Sequence, residues 1–241
     1  MKKIVFCFAL LFTAILGFSE TRVLGEDSEE KNDNSGLQFS VGDLFYYTER
    51  FDVFDDVTRN PTDLYANGFS LELGFMNSDE DGIFDWVTSN TLGFSSGRVN
   101  TEDNYSWIDS NRSFSAGNDA KFNNIFLKNL FGPQINFFIL SAGLLFGSNV
   151  GFDWLKMSAE GASSRNDYTY KERRIFVDFA FQPYISVNLL HFLKIYLSSE
   201  FDFPILRARF IRNCYEDYLF KFDWFDNDIP INYKVGVVLF F

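Results

Sequence analysis

The sequence predicts an all-β chain closed on itself as an up-and-down antiparallel transmembrane β-barrel of about eight strands, with long outer loops and short periplasmic turns. Three observations predict it. The chain's final stretch alternates without a fault, placing Tyr233, Val235, Val237, Leu239 and Phe241 on one face. Segments of the same period recur along the chain, joined by connections that are alternately long and short. Thirty-two Phe stand beside 11 Tyr and 4 Trp, too many rings for an average globular core, yet the mean hydropathy is near zero. Apolar and polar residues must therefore be finely interleaved, as strands with one lipid face and one wet face require.

The elements follow in order. Met1, Lys2 and Lys3 precede an uncharged apolar run from Ile4 to Phe18, with Gly17 and Ser19 at the spacing a signal peptidase prefers. Residues 1–19 are expected to be a secretory signal cut after Ser19. The run is too short to span as a helix, which takes roughly 20 apolar residues. With no second run of that length, a mature chain that crosses a membrane does so as strands. Residues 20–35, rich in Glu, Asp, Asn and Ser without apolar periodicity, are expected to form a flexible acidic periplasmic leader. The barrel is assigned to residues 36–241.

Strands are expected at about 36–47, 67–77, 83–97, 119–130, 136–151, 174–189, 193–203 and 231–241, an even number, as closure with both ends on one side requires. In the first, Asp43 shares a face with Phe39 and Val41, which predicts a bulge near Gly42 or a strand end. In the second, Phe69, Leu71, Leu73 and Phe75 oppose Gly68, Ser70, Glu72 and Gly74. The segment from Lys121 to Leu130 shows no clean face. The clearest strand sets Ile175, Val177, Phe179, Phe181, Pro183, Ile185, Val187 and Leu189 against Arg174, Asp178, Gln182, Tyr184, Ser186 and Asn188. The next sets Leu193, Ile195, Leu197, Phe201 and Phe203 against Lys194, Tyr196, Ser198, Glu200 and Asp202. Short connections are expected near 77–82, 131–135 and 190–192, and long ones at about 48–65, 98–118, 152–172 and 205–230. Both chain ends then lie on the short-turn side.

A soluble barrel also alternates, with its apolar face inward. Side-chain bulk separates the two: Phe, Leu, Ile and Val dominate the apolar face, whereas Gly68, Gly74, Gly143, Gly147 and Gly236 lie on the polar one, and small residues suit a narrow interior. Glu72, Asp178, Lys194 and Glu200 should accordingly point into the lumen.

A closing strand that is apolar at every second position and ends in Phe241 resembles that of bacterial outer-membrane β-barrels. Over residues 36–241 the chain looks like a small barrel of the OmpX, OmpA-transmembrane or OmpW kind. The resemblance implies a place in the bacterial cell outer membrane, contact with outer-membrane lipid, and an assembly signal at Tyr233, Val235, Val237, Leu239 and Phe241 read by the barrel-assembly machinery. No family site aligns onto this sequence, so no functional residue carries over. The long last loop departs from the smallest members.

Charge and cysteine content narrow the function. Loss of Lys2 and Lys3 with the signal takes the net charge from −12 to −14, and a nucleic-acid partner needs a basic face instead. Cys7 would leave with the signal, so Cys214 has no partner for an internal disulfide or a thiol metal cluster. The expected lumen set is Glu72, Asp85, Asp178, Gln182, Tyr184, Lys194, Tyr196, Glu200, Asp202 and Lys234. An eight-stranded interior is just wide enough for side chains to fill, so the set reads either as a salt-bridged plug or as a gated pore in which Lys194 or Lys234 exchanges acidic partners. Acids outnumber bases in it, which would favour cations.

The remaining candidates are weaker. His191, the single histidine, falls in a short turn away from the outer end, which argues against catalysis, and no catalytic residue, metal ligand or cofactor is expected. The first long loop carries Asp52, Asp55, Asp56 and Asp63, and the last carries Glu216, Asp217, Asp223, Asp226 and Asp228. The last three have oxygens suited to a divalent cation but no known metal-loop spacing. Trp107, Tyr168, Tyr170, Tyr215, Tyr218 and Trp224 suit either protein contact or the headgroup level. Lys171, Arg173, Arg174, Arg207, Arg209 and Arg212 group at the outer rim and suit either anionic headgroups and surface glycolipid or nearby acidic loops. Two functions remain open: a non-enzymatic barrel displaying acidic, aromatic loops to host or surface ligands, or a narrow pore or transport barrel for cations or, in OmpW-like fashion, apolar solutes.

Overall fold

The computed structural model describes residues 33–48, 64–79, 82–101, 106–109, 112–116, 121–161, 168–212, 218–225 and 229–240. The expected signal segment and most of the leader lie outside this set, as do Phe241 and the acidic residues of the first long loop. The strands, in chain order, are β1 (Asp33–Thr48), β2 (Leu64–Asp79), β3 (Phe84–Thr101), β4 (Ser106–Asp109), β5 (Arg112–Ala116), β6 (Lys121–Phe137), β7 (Leu140–Gly161), β8 (Tyr168–Leu190), β9 (Leu193–Arg212), β10 (Tyr218–Trp224) and β11 (Ile231–Phe240). All pairings are antiparallel, and eight strands form a closed ring in the order β1, β2, β3, β6, β7, β8, β9, β11 and back to β1. The closing seam pairs Gly36–Phe45 with Ile231–Phe240.

Inside and outside are inverted relative to a soluble barrel. Phe39, Val41, Phe69, Leu71, Leu73, Phe75, Leu92, Ile125, Leu127, Phe179, Leu197, Phe203, Val235 and Leu239 are exposed, while Gln38, Ser40, Glu72, Lys128, Asp178, Gln182, Lys194, Glu200 and Lys234 are buried. Only a surrounding hydrocarbon phase makes that distribution favourable, and a closed ring is the β-structure that satisfies every backbone group within it. A second, smaller apolar cluster lies inside the ring toward the short-turn end: Met76, Val87, Leu145 and Val238 pack with Leu130, Ala180, Tyr184 and Tyr196, and Phe240 rests against them.

The interior is fitted by volume, large against small. Tyr196, Tyr184, Phe126 and Phe176 each face a glycine on the neighbouring strand, in the cross-strand pairs Gly236–Tyr196, Gly143–Tyr184, Gly93–Phe126 and Gly151–Phe176. A Cβ at any of these glycines would run into the opposing ring.

Several boundaries differ from the sequence reading. No bulge occurs at Gly42, since β1 stays in register through Asp43, which points outward beside exposed Tyr233. The strand is there leaving the apolar band, and a charge near the interface costs little. Gly132 and Pro133, expected in a turn at 131–135, lie within β6, and the turn is at Phe138–Ile139, with Phe138 at φ 52°. The long connections after β3, β7 and β9 are shorter than expected. β8 runs for 23 residues against 10 in β11, and β5 pairs with the outer end of β7, β4 with β5, and β10 with the outer end of β9. One side of the ring thus continues outward as a wall.

Placing an arginine on the lipid face should show the inverted polarity directly. Leu73→Arg, in the exposed band, should lower the unfolding free energy measured by urea titration in lipid vesicles by about 2–4 kcal/mol. Asp43→Asn should change it far less.

Candidate functional site

The lumen is crossed by an ion-pair quartet. Lys128 on β6 and Lys234 on β11 each contact both Glu72 on β2 and Glu200 on β9, so β2, β6 and the neighbouring pair β9 and β11 meet across the lumen. Lys128 Nζ lies 2.7 Å from Glu72 Oε1, and Lys234 Nζ lies 2.6 Å from the same atom and 2.5 Å from Glu200 Oε2. All four side chains are at most 2% exposed. Charges so buried are held only by pairing, and the arrangement gives every carboxylate two ammonium partners.

Below the quartet, hydrogen bonds made mostly by neutral side chains continue across the lumen. Gln38 Nε2 donates to Tyr196 Oη at 2.6 Å and Ser89 Oγ donates to Gln38 Oε1 at 2.7 Å. Tyr184 Oη donates to Gln134 Oε1 at 2.6 Å, Gln134 Nε2 to Asn136 Oδ1 at 2.7 Å, and Asn136 Nδ2 to Asp85. Lys194 is fully buried with its ammonium 5.1 Å from the centre of the Phe240 ring. Together with the apolar cluster, these layers fill the short-turn half.

Above the quartet, on the side away from the short turns, the lumen holds a vestibule of about 400 Å3 when the adjoining solvent space is counted with it. Arg207 Nη1 donates to Asp178 Oδ1 at 2.7 Å, and Asn149 Nδ2 donates to Asp202 Oδ2 at 3.1 Å, reaching past the small Ala180 between them. Arg174 Nε is 3.0 Å from Asp153 Oδ2, and Arg209 Nε donates to Glu172 Oε1 at 2.7 Å. Buried Phe122, Phe126 and Phe176 form an aromatic wall.

Each residue of the expected lumen set is buried: Glu72, Lys234 and Glu200 in the quartet, Asp178 and Asp202 in the vestibule, Asp85, Gln182, Tyr184, Lys194 and Tyr196 in or beside the lower layers. Lys194 lies outside the quartet, whereas Lys128, which the expected set lacks, holds one corner of it. Of the basic rim groups, Arg174, Arg207 and Arg209 turn inward to strand carboxylates instead of meeting lipid headgroups or loop acids, although Arg209 Nη1 is also 3.8 Å from Asp223. Lys171 and Arg173 are exposed. Tyr233, Val235 and Leu239 face outward on β11. His191 is exposed in its turn with its ring edge-on to Phe192 at 5.1 Å. Trp224 is exposed on β10. The side chains of Trp107, Tyr168, Tyr170, Tyr215 and Tyr218, with Cys214, Asp226 and Asp228, lie outside the described residues.

A closed eight-stranded ring with an ion-paired interior and an apolar outer band is the architecture of an integral outer-membrane β-barrel. No protein-family model matches the sequence, and no curated protein matches it. Among solved structures the chain is similar to Ail, the attachment invasion locus protein of Yersinia pestis, at 14% identity over 87% of this chain and 99% of that one, with a TM-score of 0.42. It is similar to a major outer membrane protein from Thermus thermophilus at 10% identity over 86% and 99% of the two chains, with a TM-score of 0.49. Neisserial surface protein A matches at 8% identity over 86% and 97%, with a TM-score of 0.41.

Removing one corner of the quartet should be far costlier than its surroundings suggest. Lys128→Met leaves Glu72 and Glu200 short of a partner and should destabilise the refolded barrel by about 3–5 kcal/mol. Adding Glu72→Gln to that variant should recover part of the loss in the same urea titration.

Proposed function

We propose that this chain is a non-enzymatic outer-membrane barrel, closed to ions through its lumen, that serves as an anchor presenting its outer wall and the acidic, aromatic connections there to molecules outside the cell. The quartet carries the reading. Each lysine bridges glutamates on two strands that are not neighbours, β2 and β9, so an aqueous path needs both lysines displaced from both acids at once. Below it the lumen is occupied by Tyr184, Tyr196, Met76, Leu145 and Val238, which fill the width a column of water would need. Conduction through rings of charge requires binding weak enough to release the ion, and four locked groups offer the opposite.

The outer end supports the presenting role. β7, β8 and β9 rise with β4, β5 and β10 beside them, and Phe210, Phe220, Phe222 and Trp224 are exposed on that wall, with the Phe210 and Phe220 rings 5.0 Å apart. Exposed rings on a rigid element suit partner contact, since few rotamers are lost on binding. His191, at the opposite end in a two-residue turn, is distant from the acids of the vestibule, which supports a role without catalysis. The expected signal at residues 1–19, the leader at 20–35 and the assembly signal ending at Phe241 belong to the same proposal, with outer-membrane lipid and the barrel-assembly machinery as its partners.

Planar-bilayer recording of the refolded chain tests the reading. The expected result is silence from a barrel that shows the heat-dependent gel shift of a folded ring. Discrete, cation-preferring steps abolished by Lys234→Gln would replace it with the pore.

A further inference from the structure

The vestibule gathers buried acceptors that the chain itself leaves unmatched. Asn124, Asn149, Asp153 and Asp202 line it, and in each the side-chain Oδ1 is buried without a hydrogen-bond partner. The last three residues are only 3%, 4% and 7% exposed. The nearby cations are committed elsewhere: Lys128 and Lys234 to the two glutamates, Arg207 to Asp178, and Arg174 to the other oxygen of Asp153. Across this connected set the buried carboxylates of Glu72, Glu200, Asp153, Glu172, Asp178 and Asp202 face Lys128, Lys234, Arg174, Arg207 and Arg209, which leaves one carboxylate in excess. Asp202 is that carboxylate, since its hydrogen bond comes from the neutral Asn149 amide. A buried polar group left unmatched costs roughly 1–3 kcal/mol, more if charged, so the cavity is arranged for a ligand that brings donors and positive charge.

We propose that the outer vestibule is a binding site for a primary ammonium group carried on a short apolar stem. An alkylammonium has three donors and no acceptor, which suits a cup of orphaned carboxylate and amide oxygens. Phe122, Phe126 and Phe176 supply a surface for the stem, and that wall already holds alkyl-borne cations of the chain itself. Lys128 Nζ lies 4.2 Å from the centre of the Phe126 ring, and the Arg207 guanidinium 5.1 Å from that of Phe176. Such contacts favour a cation over the ring face. A metal ion suits the site less well: among the described residues no three His, Cys, Asp or Glu side chains converge closely enough to hold one, and an aromatic wall gives it nothing. The excess carboxylate excludes an anion. The site lies above the quartet, whose Lys128 and Glu200 form part of its lining.

Calorimetric titration of the refolded full-length chain in detergent with butylamine hydrochloride tests this, with sodium chloride at equal ionic strength, magnesium chloride and sodium butyrate as comparators. The expected result is saturable heat with butylamine alone, weakened about tenfold by Asp202→Asn, which removes one charge-assisted contact, and unchanged by Asp43→Asn on the outer face. Asp153→Asn serves as the second variant and as the deciding one if Asp202→Asn fails to give the folded gel band. Absence of saturable butylamine heat, displacement of it by magnesium, or wild-type binding by the folded acid-to-amide variants would overturn the proposal.

Discussion

Pairing of the first ring strand with the last is the constraint on which the rest depends. A sheet in hydrocarbon cannot leave an edge unpaired, because no water is present to satisfy it. The seam from Gly36–Phe240 to Phe45–Ile231 removes both edges at once. Closure with eight strands then fixes the diameter, and the diameter limits what the interior can hold. That is why glycines stand opposite Tyr184, Tyr196, Phe126 and Phe176: a second side chain at those heights has nowhere to go.

The same narrowness explains the charge pattern. Burying a charge is costly unless it is paired and hydrogen-bonded, and an interior this tight brings strands from all sectors within one side-chain length of its axis. Glu72, Glu200, Lys128 and Lys234 therefore satisfy each other directly. Replacing such a set by apolar residues is often neutral or stabilising elsewhere, so the quartet is better understood as fixing which strands face each other than as a source of net stability. Apolar packing at the short-turn end, from Met76 to Val238, lies beneath it.

How much of this is legible in the sequence depends on whether a strand's lumen face is polar. In β8 the division is complete, with Asp178, Gln182 and Tyr184 inward and Phe179 and Ile185 outward, because aliphatic and ring residues meet lipid and polar ones meet the lumen. β6 is opaque for the opposite reason. Its inward positions include Phe122, Phe126 and Leu130 beside Lys128, while outward-facing Asn129 satisfies itself by donating to Asn90 on β3 at 2.5 Å. A lipid-facing asparagine with a cross-strand partner is inexpensive, but its partner is invisible in a single strand. Arg207 is hidden by a register shift. The ladder skips from Asp178–Pro204 to Val177–Leu206, so inward positions on β9 change from even to odd numbers, and an arginine that reads as rim enters the lumen. Gly132 and Pro133 mislead in the same way: a proline forgoes one ladder donor without ending a strand, whereas the real turn at Phe138 carries no glycine or asparagine to announce it.

These layers give the barrel a chemical direction. Progressing outward, the interior passes from apolar packing beside buried Lys194 and Asp85, through tyrosine and glutamine bonds, to a balanced set of four charges, and ends in a vestibule with one acid more than its bases can match. Charge is thus balanced within the quartet and unbalanced in the vestibule above it. Packing alone does not demand that order, because Asp202 could be an asparagine with the same volume and the same bond to Asn149. A carboxylate there, unlike an asparagine, can carry a negative charge once a cation offsets the cost of burying it, and a low-dielectric cup strengthens that attraction. The acid excess of the whole chain has the same sign, so the amine proposed above is the kind of group that such a field would draw to this end of the barrel.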